Sequence, residues 1–491
     1  MKITIQTNKN LRKKADFLIL SFSYTSKKTK PLFKGDSFKS IIKEPINTKD
    51  FLGKAKDISL VYSSKNKEKR VLLLGLGSEK ELNEYNLCEA YASAISFLKN
   101  KKASSVNIII PNIDMEKDVL VKGVVEAIYL ANYNFDKYKF VTKKNLFSIK
   151  EVCLIGLEKR DNHLVKKASI ISQGVNLTRD LVNTNADDET PQTLAKLAKD
   201  FEKISNKVKV EVFDKKRIEK ENMNLLLAVN KGSNKDPVFI IVKYKGDPSS
   251  KDSSVIIGKG ITYDTGGLSL KPSTSMDTMK SDMSGGASIL GSIYAIIKLN
   301  LKVNVTAIVP ATENAIGPKS YKPGDVYVSA CNRSVEVKNT DAEGRLILAE
   351  ALSYASHKIK PNRVIDLASL TGACVVALGE EISALFSNDR TLAKQLIKAS
   401  NKTGDHLWRL PLFPEYKKLL KSEIADISNV GGRGAGTITA ALFLQEFVDK
   451  VSWAHIDIAG PAFKSTLSAL HPTYATGAGV RLLVNFFENL K

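Results

Sequence analysis

Cysteine and histidine are scarce in this sequence of 491 residues, which contains four cysteines and five histidines. The cysteines are scattered over positions 88, 153, 331 and 374, without the spacing of a metal or redox motif. No histidine lies among the polar motifs described below, and His455, within an apolar run, is predicted to be a core residue. The sequence therefore excludes a Cys/His zinc site, and its cysteines are typical of reduced thiols in a cytoplasmic protein.

Long apolar runs and nucleophile motifs are also missing. No apolar stretch reaches about 18 residues, so the sequence predicts no membrane span. The N-terminal residues, which begin with Met1–Gln6, lack the apolar core and the small-residue cleavage site of a signal peptide, so no secretory signal is predicted. No Gly-x-Ser-x-Gly elbow is present and no cysteine lies in a charged motif, which argues against a serine or cysteine nucleophile.

Acidic residues do not balance the basic ones, and the formal net charge is +22. Residues 1–170 contain 33 lysines and arginines against 18 acidic residues, so the excess is concentrated in the first third of the chain. Such an excess permits contact with nucleic acid or another anionic surface. Because the lysines are dispersed and do not alternate with aromatic residues, we favour an ordinary solvated surface and do not favour nucleic acid as a partner.

Length and element pattern predict two domains. The chain is longer than one hydrophobic core usually holds, and predicted strands and helices alternate in both halves. This alternation predicts an α/β fold with two α/β domains. We expect a basic N-terminal α/β domain at residues 1–163, with a role in assembly or regulation. We expect a C-terminal catalytic domain at residues 164–491, with a mixed or parallel sheet flanked by helices and carrying a two-metal site.

Residues 258–286 concentrate polar residues directly after a predicted buried strand. The stretch contains Lys259, Asp264, Lys271 and Asp282, interspersed with glycines that permit close backbone approach. Burying two acids and two lysines beside a strand end costs free energy unless their charges are paired. A metal ion is one partner that would compensate them.

A second cluster, residues 339–345, reads Asn-Thr-Asp-Ala-Glu-Gly-Arg and precedes a predicted helix at residues 346–355. Asp341, Glu343 and Arg345 are spaced by two, so on an extended segment their side chains share one face. The partial positive charge of a helix N-terminus favours carboxylates at this place. Predicted strand ends lead into both clusters, as sites in open α/β sheets require.

Four carboxylates in one place repel each other unless divalent cations hold them together. Oxygen ligands suit Mg²⁺, Mn²⁺ or Zn²⁺, and two ions fit four carboxylates better than one. Lys259 is then either a deprotonated metal ligand or an ion-pair partner, and the residues alone favour the ion pair. Lys271 either stabilises a developing oxyanion or pairs with the acids. Arg345 either holds a small anion or is a surface cation.

The motifs resemble those of the cytosolic leucine aminopeptidase family. The resemblance is carried by GKGITYDTGG at 258–267, MKSDM at 279–283 and NTDAEGRL at 339–346, with further blocks at 369–373 and 453–460. It covers the chain from about residue 165 onward, whereas the first domain fits only by topology and size. Thr265 and Ala478 differ from the family's common serine and bulkier residue, which bears on substrate preference and not on the chemistry.

The resemblance implies a leucyl aminopeptidase, a metallo-exopeptidase that removes N-terminal residues, preferably leucine, from peptides by a bridging-hydroxide two-metal mechanism. Two divalent ions per subunit, Mn or Zn, would be bound by Lys259, Asp264, Asp282, Asp341 and Glu343. Lys271 and Arg345 match the catalytic positions. The lysine would polarise the scissile carbonyl, and the arginine would hold a bicarbonate that relays protons.

The resemblance further implies a homohexamer, and it places Met279 and residues 371–373 in the pocket for the substrate side chain. Two other functions stay open at this point. A DNA-binding regulatory protein on the same scaffold would act through the basic N-terminal domain. A two-metal phosphoesterase would use the same carboxylates, but the motifs match a peptidase along their full length.

Overall fold

The computed structural model describes residues 1–25, 28–34, 38–64 and 66–490. It divides into two compact units. Unit 1 comprises Met1–Gln173 with Thr466–Thr473, and unit 2 comprises Gly174–Ser465 with the segment that begins at Tyr474. Each unit has its own sheet and its own buried apolar cluster.

Unit 1 is an α/β unit built on a seven-stranded sheet. Its strands are β1 (Lys2–Gln6), β2 (Phe17–Thr25), β3 (Lys28–Pro31), β4 (Ile58–Tyr62), β5 (Arg70–Gly75), β6 (Ser105–Ile109) and β7 (Glu151–Ile155). Its helices are α1 (Lys39–Asn47), α2 (Glu84–Asn100) and α3 (Lys117–Ala131). The strand order is β1-β7-β6-β2-β5-β4, with β3 paired to β2. Only the β3 and β4 pairings are antiparallel.

The alternation of strands and helices predicted for the first part of the chain is confirmed in unit 1. Strand β1 was not predicted, because Lys2–Gln6 has only two apolar residues and its place depends on pairing with β7 at the sheet edge. Helix α4 (Asn162–Asn183) follows and runs through the division between the two units. The boundary expected between residues 163 and 164 falls inside this helix and stays a prediction.

Unit 2 contains a nine-stranded mixed sheet and a three-stranded one. The strands are β8 (Val208–Phe213), β9 (Val238–Lys245), β10 (Ser254–Gly258), β11 (Gly260–Asp264), β12 (Asn304–Asn314), β13 (Val326–Val328), β14 (Ser334–Glu336), β15 (Arg363–Ala368), β16 (Ile382–Ser387), β17 (His406–Arg409), β18 (Ile427–Ser428) and β19 (Ser452–Asp457). The large sheet has the order β17-β16-β19-β15-β10-β12-β9-β8, and β11 pairs with β12. Strands β12, β10, β15 and β19 run parallel and form its centre. The expected fold, two α/β domains with a mixed sheet in the second, is confirmed.

Helices flank this sheet. They are α5 (Pro191–Asp200), α6 (Lys215–Lys220), α7 (Asn224–Asn230), α8 (Ser273–Met276), α9 (Ser284–Leu299), α10 (Glu343–Tyr354), α11 (Gly372–Leu378), α12 (Arg390–Thr403), α13 (Gly436–Gln445) and α14 (Val480–Glu488). Strand β10 is buried along its whole length, as a central parallel strand covered on both faces must be. Within the described residues, no helix combines the length and apolar character needed to cross a membrane.

Two local features differ from what the sequence predicts. A strand that was not predicted follows Lys259, since β11 begins at Gly260 and pairs with β12. A Cβ on Gly260 would lie 2.7 Å from the Pro310 carbonyl oxygen, so this glycine serves close strand packing and does not break the strand. Residues 341–345 do not form the extended segment considered in the sequence analysis, because helix α10 begins at Glu343. The three side chains spaced by two therefore do not share the face of a strand.

Two glycines bring helix α9 against the ends of the central strands. A Cβ on Gly285, in the first turn of α9, would lie 2.2 Å from the Leu367 carbonyl oxygen of β15. A Cβ on Gly258, at the end of β10, would lie 2.4 Å from the Gly285 carbonyl oxygen. Backbone thus packs on backbone close to both charged residues, because Lys259 directly follows Gly258 and Asp282 lies three positions before Gly285.

We expect Gly285→Ala to lower the free energy of unfolding by about 1–3 kcal/mol, because the added methyl group can only be accommodated if α9 moves away from β15. Chemical denaturation of the purified protein measures the loss. Gly372→Ala is the matched control, since a Cβ on Gly372 meets no atom within 4 Å. Equal stability of the two variants would contradict the argument.

Candidate active site

Four parallel strands end at one edge of the large sheet of unit 2. Lys259 follows β10, Asp264 ends β11, Asn314 ends β12 and Ser369 follows β15. In an open α/β sheet, the carboxyl ends of parallel strands meet at the same edge, which is where ligand sites form. The predicted polar motifs therefore converge because of the strand directions.

The four predicted acids come together at this edge. Oxygens of Asp264, Asp341 and Glu343 all lie within 4.8 Å of one another. Asp282, on a single 3-10 turn before α9, is joined to them through Lys259. The Lys259 Nζ atom lies 2.7 Å from Asp282 Oδ2 and 2.8 Å from Glu343 Oε1. All four carboxylates are buried except that of Asp341, which is half-buried.

Both predicted lysines are ion-pair partners in this structure. Lys271 Nζ lies 2.8 Å from Asp264 Oδ2 and 2.5 Å from Asp341 Oδ1. Lys259 Nζ also donates a hydrogen bond to the Ser369 carbonyl oxygen at 3.1 Å. Two ammonium groups against four carboxylates leave a deficit of two positive charges when every acid is ionised.

Burial and this charge deficit change the pKa values of the cluster. Burial, reinforced by the charge of Asp264, raises the pKa of Glu343 to about 8. Burial also raises the pKa of Asp282 to about 6, although Lys259 opposes the change. Burial alone would lower the pKa of Lys259, but the three neighbouring acids outweigh it and hold that pKa above its usual value. Lys259 is therefore an ammonium group here.

The donor set fits divalent metal ions. Glu343 Oε2 is buried and has no hydrogen-bond partner, which is costly for a carboxylate oxygen unless a cation lies beside it. The oxygens of Asp264, Asp341 and Glu343 are close enough to share an ion. All are hard oxygen ligands, which Mn²⁺ and Zn²⁺ accept.

Arg345 lies in the first turn of α10 and is only 7% exposed. Its Nη1 donates to the Asn429 carbonyl oxygen at 2.7 Å, while its buried Nε has no hydrogen-bond partner. Burial lowers the pKa of Arg345 to about 10, so the guanidinium stays charged at neutral pH. An unpaired N–H on a buried cation can hold a small anion.

Asn314 was missed by sequence reasoning. Its Nδ2 donates to Asp264 Oδ1 at 2.7 Å and to the Thr340 carbonyl oxygen at 3.0 Å, and the residue is completely buried. Its own carbonyl oxygen accepts from the backbone N–H and the hydroxyl of Thr265. Asn314 thus orients a carboxylate of the cluster and ties it to the segment that carries Asp341. The sequence offered no strong signal, because the strand predicted there ended at Val309 and an asparagine beyond a strand is typical of a turn.

Asn429 was also missed. Its Oδ1 accepts from the backbone N–H groups of Lys338 and Asn339, and its Nδ2 donates to the Asn339 carbonyl oxygen. The backbone carbonyl oxygen of Asn429 accepts a hydrogen bond from Arg345. Asn429 therefore links the Arg345 guanidinium to the loop before Asp341. The glycines that follow at 431 and 432 were the available signal.

Residues predicted to line a side-chain pocket have separate structural roles. The Thr371 hydroxyl caps α11 and donates to Asp457 Oδ2 at 2.7 Å. Met279 opens the 3-10 turn that carries Asp282 and is half-buried. Their contact with a substrate stays a prediction. The expectation of a core His455 is confirmed, since its Nδ1 lies 2.6 Å from a buried Asp366 oxygen.

Two family models match the sequence. The catalytic domain of the cytosol aminopeptidase family matches residues 176–484, and the N-terminal domain of the same family matches residues 24–144. The first range includes every candidate ligand.

Similar proteins cover the whole chain. A probable cytosol aminopeptidase of Protochlamydia amoebophila (strain UWE25) is 45% identical over 494 residues, which is 100% of this chain and 99% of the relative. One of Chlamydia felis (strain Fe/C-56) is 46% identical over 489 residues, or 97% of both chains. A solved structure of the bottromycin maturation enzyme BotP has a TM-score of 0.85 at 28% identity and covers 96% of this chain and 99% of its own. A second, with the same values, is described as a complex with Mn.

We expect Mn²⁺ to bind the metal-stripped protein at least about tenfold more weakly at pH 6 than at pH 8. As pH falls through about 8 the Glu343 carboxylate takes up a proton, and Asp282 does so near 6, so the metal must displace protons. Isothermal titration calorimetry in buffers of different ionisation enthalpy measures both the affinity and the protons released. Binding of Mn²⁺ that releases no protons and has equal affinity at both pH values would contradict this expectation.

We expect Asn314→Ala to weaken Mn²⁺ binding by about 10- to 100-fold, because Asp264 loses the amide that orients it. The Thr340 carbonyl oxygen keeps a second donor, the Tyr321 hydroxyl at 2.7 Å, so the fold should be retained. Asn206→Ala, at an exposed turn, is the matched control. Unchanged Mn²⁺ affinity in a folded Asn314→Ala protein would show that the amide has no orienting role.

Proposed function

The chain belongs to the cytosol aminopeptidase family and is a metal-dependent aminopeptidase, and we propose that it removes N-terminal residues, preferably leucine, with two divalent metal ions. The convergence of Asp264, Asp341 and Glu343 within 4.8 Å supports this most strongly. The Mn complex of the BotP structure, which is similar over 96% of this chain, supports manganese as one of the metals.

The proposed ligands are Lys259, Asp264, Asp282, Asp341 and Glu343. When bound, the ions supply Lewis acidity that generates hydroxide from water at neutral pH and neutralise charge on the substrate. The carboxylates hold the ions at the sheet edge, where Asn314 fixes the direction of Asp264. Lys259 must lose its proton to become a metal ligand. A bound cation favours this loss, because the cation takes the place of the ammonium charge beside Asp282 and Glu343.

Lys271 is the proposed oxyanion donor. Its side chain is 15% exposed, so its ammonium lies where the cluster meets solvent and a substrate could enter. In this structure it contacts Asp264 and Asp341. Once cations bind those carboxylates, the ammonium can turn to the scissile carbonyl oxygen and stabilise the charge that develops there.

Arg345 is the proposed holder of a small anion. The hydrogen bond from Nη1 to the Asn429 carbonyl oxygen orients the guanidinium and leaves the buried Nε without a partner. A bicarbonate held by that fork would carry a proton from the attacking water to the leaving amine. The homohexamer, the cytoplasmic location, the identity of each metal and an assembly or regulatory role for residues 1–163 stay predictions.

We expect the metal-stripped protein to be inactive on leucine-p-nitroanilide and to regain activity with Mn²⁺ or Zn²⁺. Asp264→Ala should abolish the recovery, because it removes a carboxylate from the centre of the cluster. Lys271→Ala should lower kcat by about 10²- to 10³-fold, as the loss of an oxyanion donor does. Release of p-nitroaniline measures both, and alanine and glutamate p-nitroanilides measure the preference for leucine.

Lys322→Ala is the control for the loss of a lysine, since the Lys322 side chain is largely exposed and lies outside the cluster. It should keep full activity. A folded protein that hydrolyses no aminoacyl substrate with any metal would overturn the proposal. Equal rates on leucine and glutamate substrates would overturn the leucine preference alone.

A further inference from the structure

Unit 1 contains a cavity of about 600 Å³ that the catalytic chemistry does not use. It lies at the carboxyl ends of β1, β7 and β6, which are neighbouring parallel strands. All of its lining residues belong to unit 1, whereas the candidate ligands and catalytic residues all belong to unit 2. The carboxyl edge of a parallel sheet is where α/β folds place small-molecule sites.

The floor of the cavity is apolar. Ile109 ends β6, Ile155 ends β7, and Leu120 comes from the first turns of α3. Phe33 and Ile113, both half-buried, form part of the walls. A volume of about 600 Å³ lies within the range of about 300–1,000 Å³ typical of sites for small organic ligands. It is more than a lone inorganic ion requires.

Among the residues that the structure describes, the charged residues of the lining are Lys9, Lys34 and Lys117, and none of the described aspartates or glutamates lines the cavity. The Lys9 ammonium is held in place, because it donates to the Lys34 carbonyl oxygen at 2.7 Å and lies 5.9 Å from the centre of the Phe38 ring. Three ammonium groups around one apolar cleft favour an anion.

Lys117 is partly balanced by an acid outside the lining. Its Nζ lies 3.3 Å from Asp161 Oδ2, and that same oxygen accepts the backbone N–H of Glu158. Lys117 is also the first residue of α3, a helix of 15 residues. Asp118, in the same turn, accepts the Val119 backbone N–H and offsets the partial positive charge of this helix end, so the other two lysines of the lining provide most of the positive charge at the cavity.

The geometry points to a binding site for a small organic phosphate, a molecule with one phosphate group and an apolar or aromatic body. The lysines at the opening would take the phosphate, since an ammonium group is a common phosphate ligand. The apolar floor would take the body. This function is separate from peptide hydrolysis and does not rest on it.

Adenosine monophosphate (AMP) is the probe, tested by calorimetry on the full chain at low salt. We expect binding that the double variant Lys9→Ala/Lys34→Ala weakens by about 100-fold, or about tenfold for each charge-assisted contact. The control Lys139→Ala/Lys143→Ala removes the same charge from exposed positions of unit 1 outside the cavity and should leave the affinity unchanged. Activity on leucine-p-nitroanilide should be the same in all three proteins.

The ligand class is tested by dividing the probe into its parts. Adenosine and inorganic phosphate should each bind at least tenfold more weakly than AMP, because each lacks one half of the contacts. Absence of AMP binding, equal affinity of the two double variants, or binding of phosphate alone as tightly as AMP would each overturn the proposal. AMP binding retained in Asp264→Ala, with hydrolysis abolished, would support a site independent of the catalytic one.

Discussion

The candidate site depends on the compensation of buried negative charge. Four carboxylates lie at one edge of the sheet, and two lysines cannot neutralise them. Burying such a deficit costs free energy, and it raises the pKa of Glu343 to about 8 and that of Asp282 to about 6, so Glu343 retains a proton near neutral pH and Asp282 takes one up near pH 6. Protons and divalent cations are alternative ways to remove the same deficit. The cluster is therefore arranged for cations before any substrate is considered.

The fold makes this arrangement rigid. Strands β10, β11, β12 and β15 are parallel, so their carboxyl ends lie at the same edge of the sheet and each contributes one polar residue there. Gly258 and Gly285 let α9 pack directly on the strand ends, which fixes the distance between Lys259 and Asp282. Amide side chains complete the support. Asn314 and Asn429 hold the loop segments by hydrogen bonds to backbone, which cost no additional charge in a place already crowded with charge.

Sequence reasoning could identify the charged residues because they lie in two short stretches with unusual composition. Lys259, Asp264 and Asp282 stand among glycines after an apolar strand, and Asp341 and Glu343 precede an apolar helix. The supporting amides could not be identified in this way. An asparagine is common in turns, and nothing near Asn314 in sequence shows that its partner Asp264 lies 50 positions earlier.

Two features of local structure differ from the sequence prediction for different physical reasons. Strand β11 was not predicted, and its Gly260 is needed because the strand passes close to the Pro310 backbone, a tertiary contact that no local pattern encodes. The spacing of Asp341, Glu343 and Arg345 suggested a strand, whereas the helix begins at Glu343. A carboxylate at that position is favoured by the helix end, so the cause of convergence is the helix dipole and not a shared strand face.

The two units place opposite charges at equivalent positions of their sheets. In unit 2 the carboxyl edge of the parallel strands carries carboxylates, which require cations. In unit 1 the corresponding edge carries Lys9, Lys34 and Lys117 around an apolar cleft, which favours an anion. Three lysines of the positive excess of residues 1–170 therefore belong to the proposed phosphate site. Most of those lysines are dispersed and exposed, but three of them meet at the one edge where an α/β sheet can receive a ligand. The same strand topology can serve either sign of charge, because the loops that follow the strands decide which groups it presents.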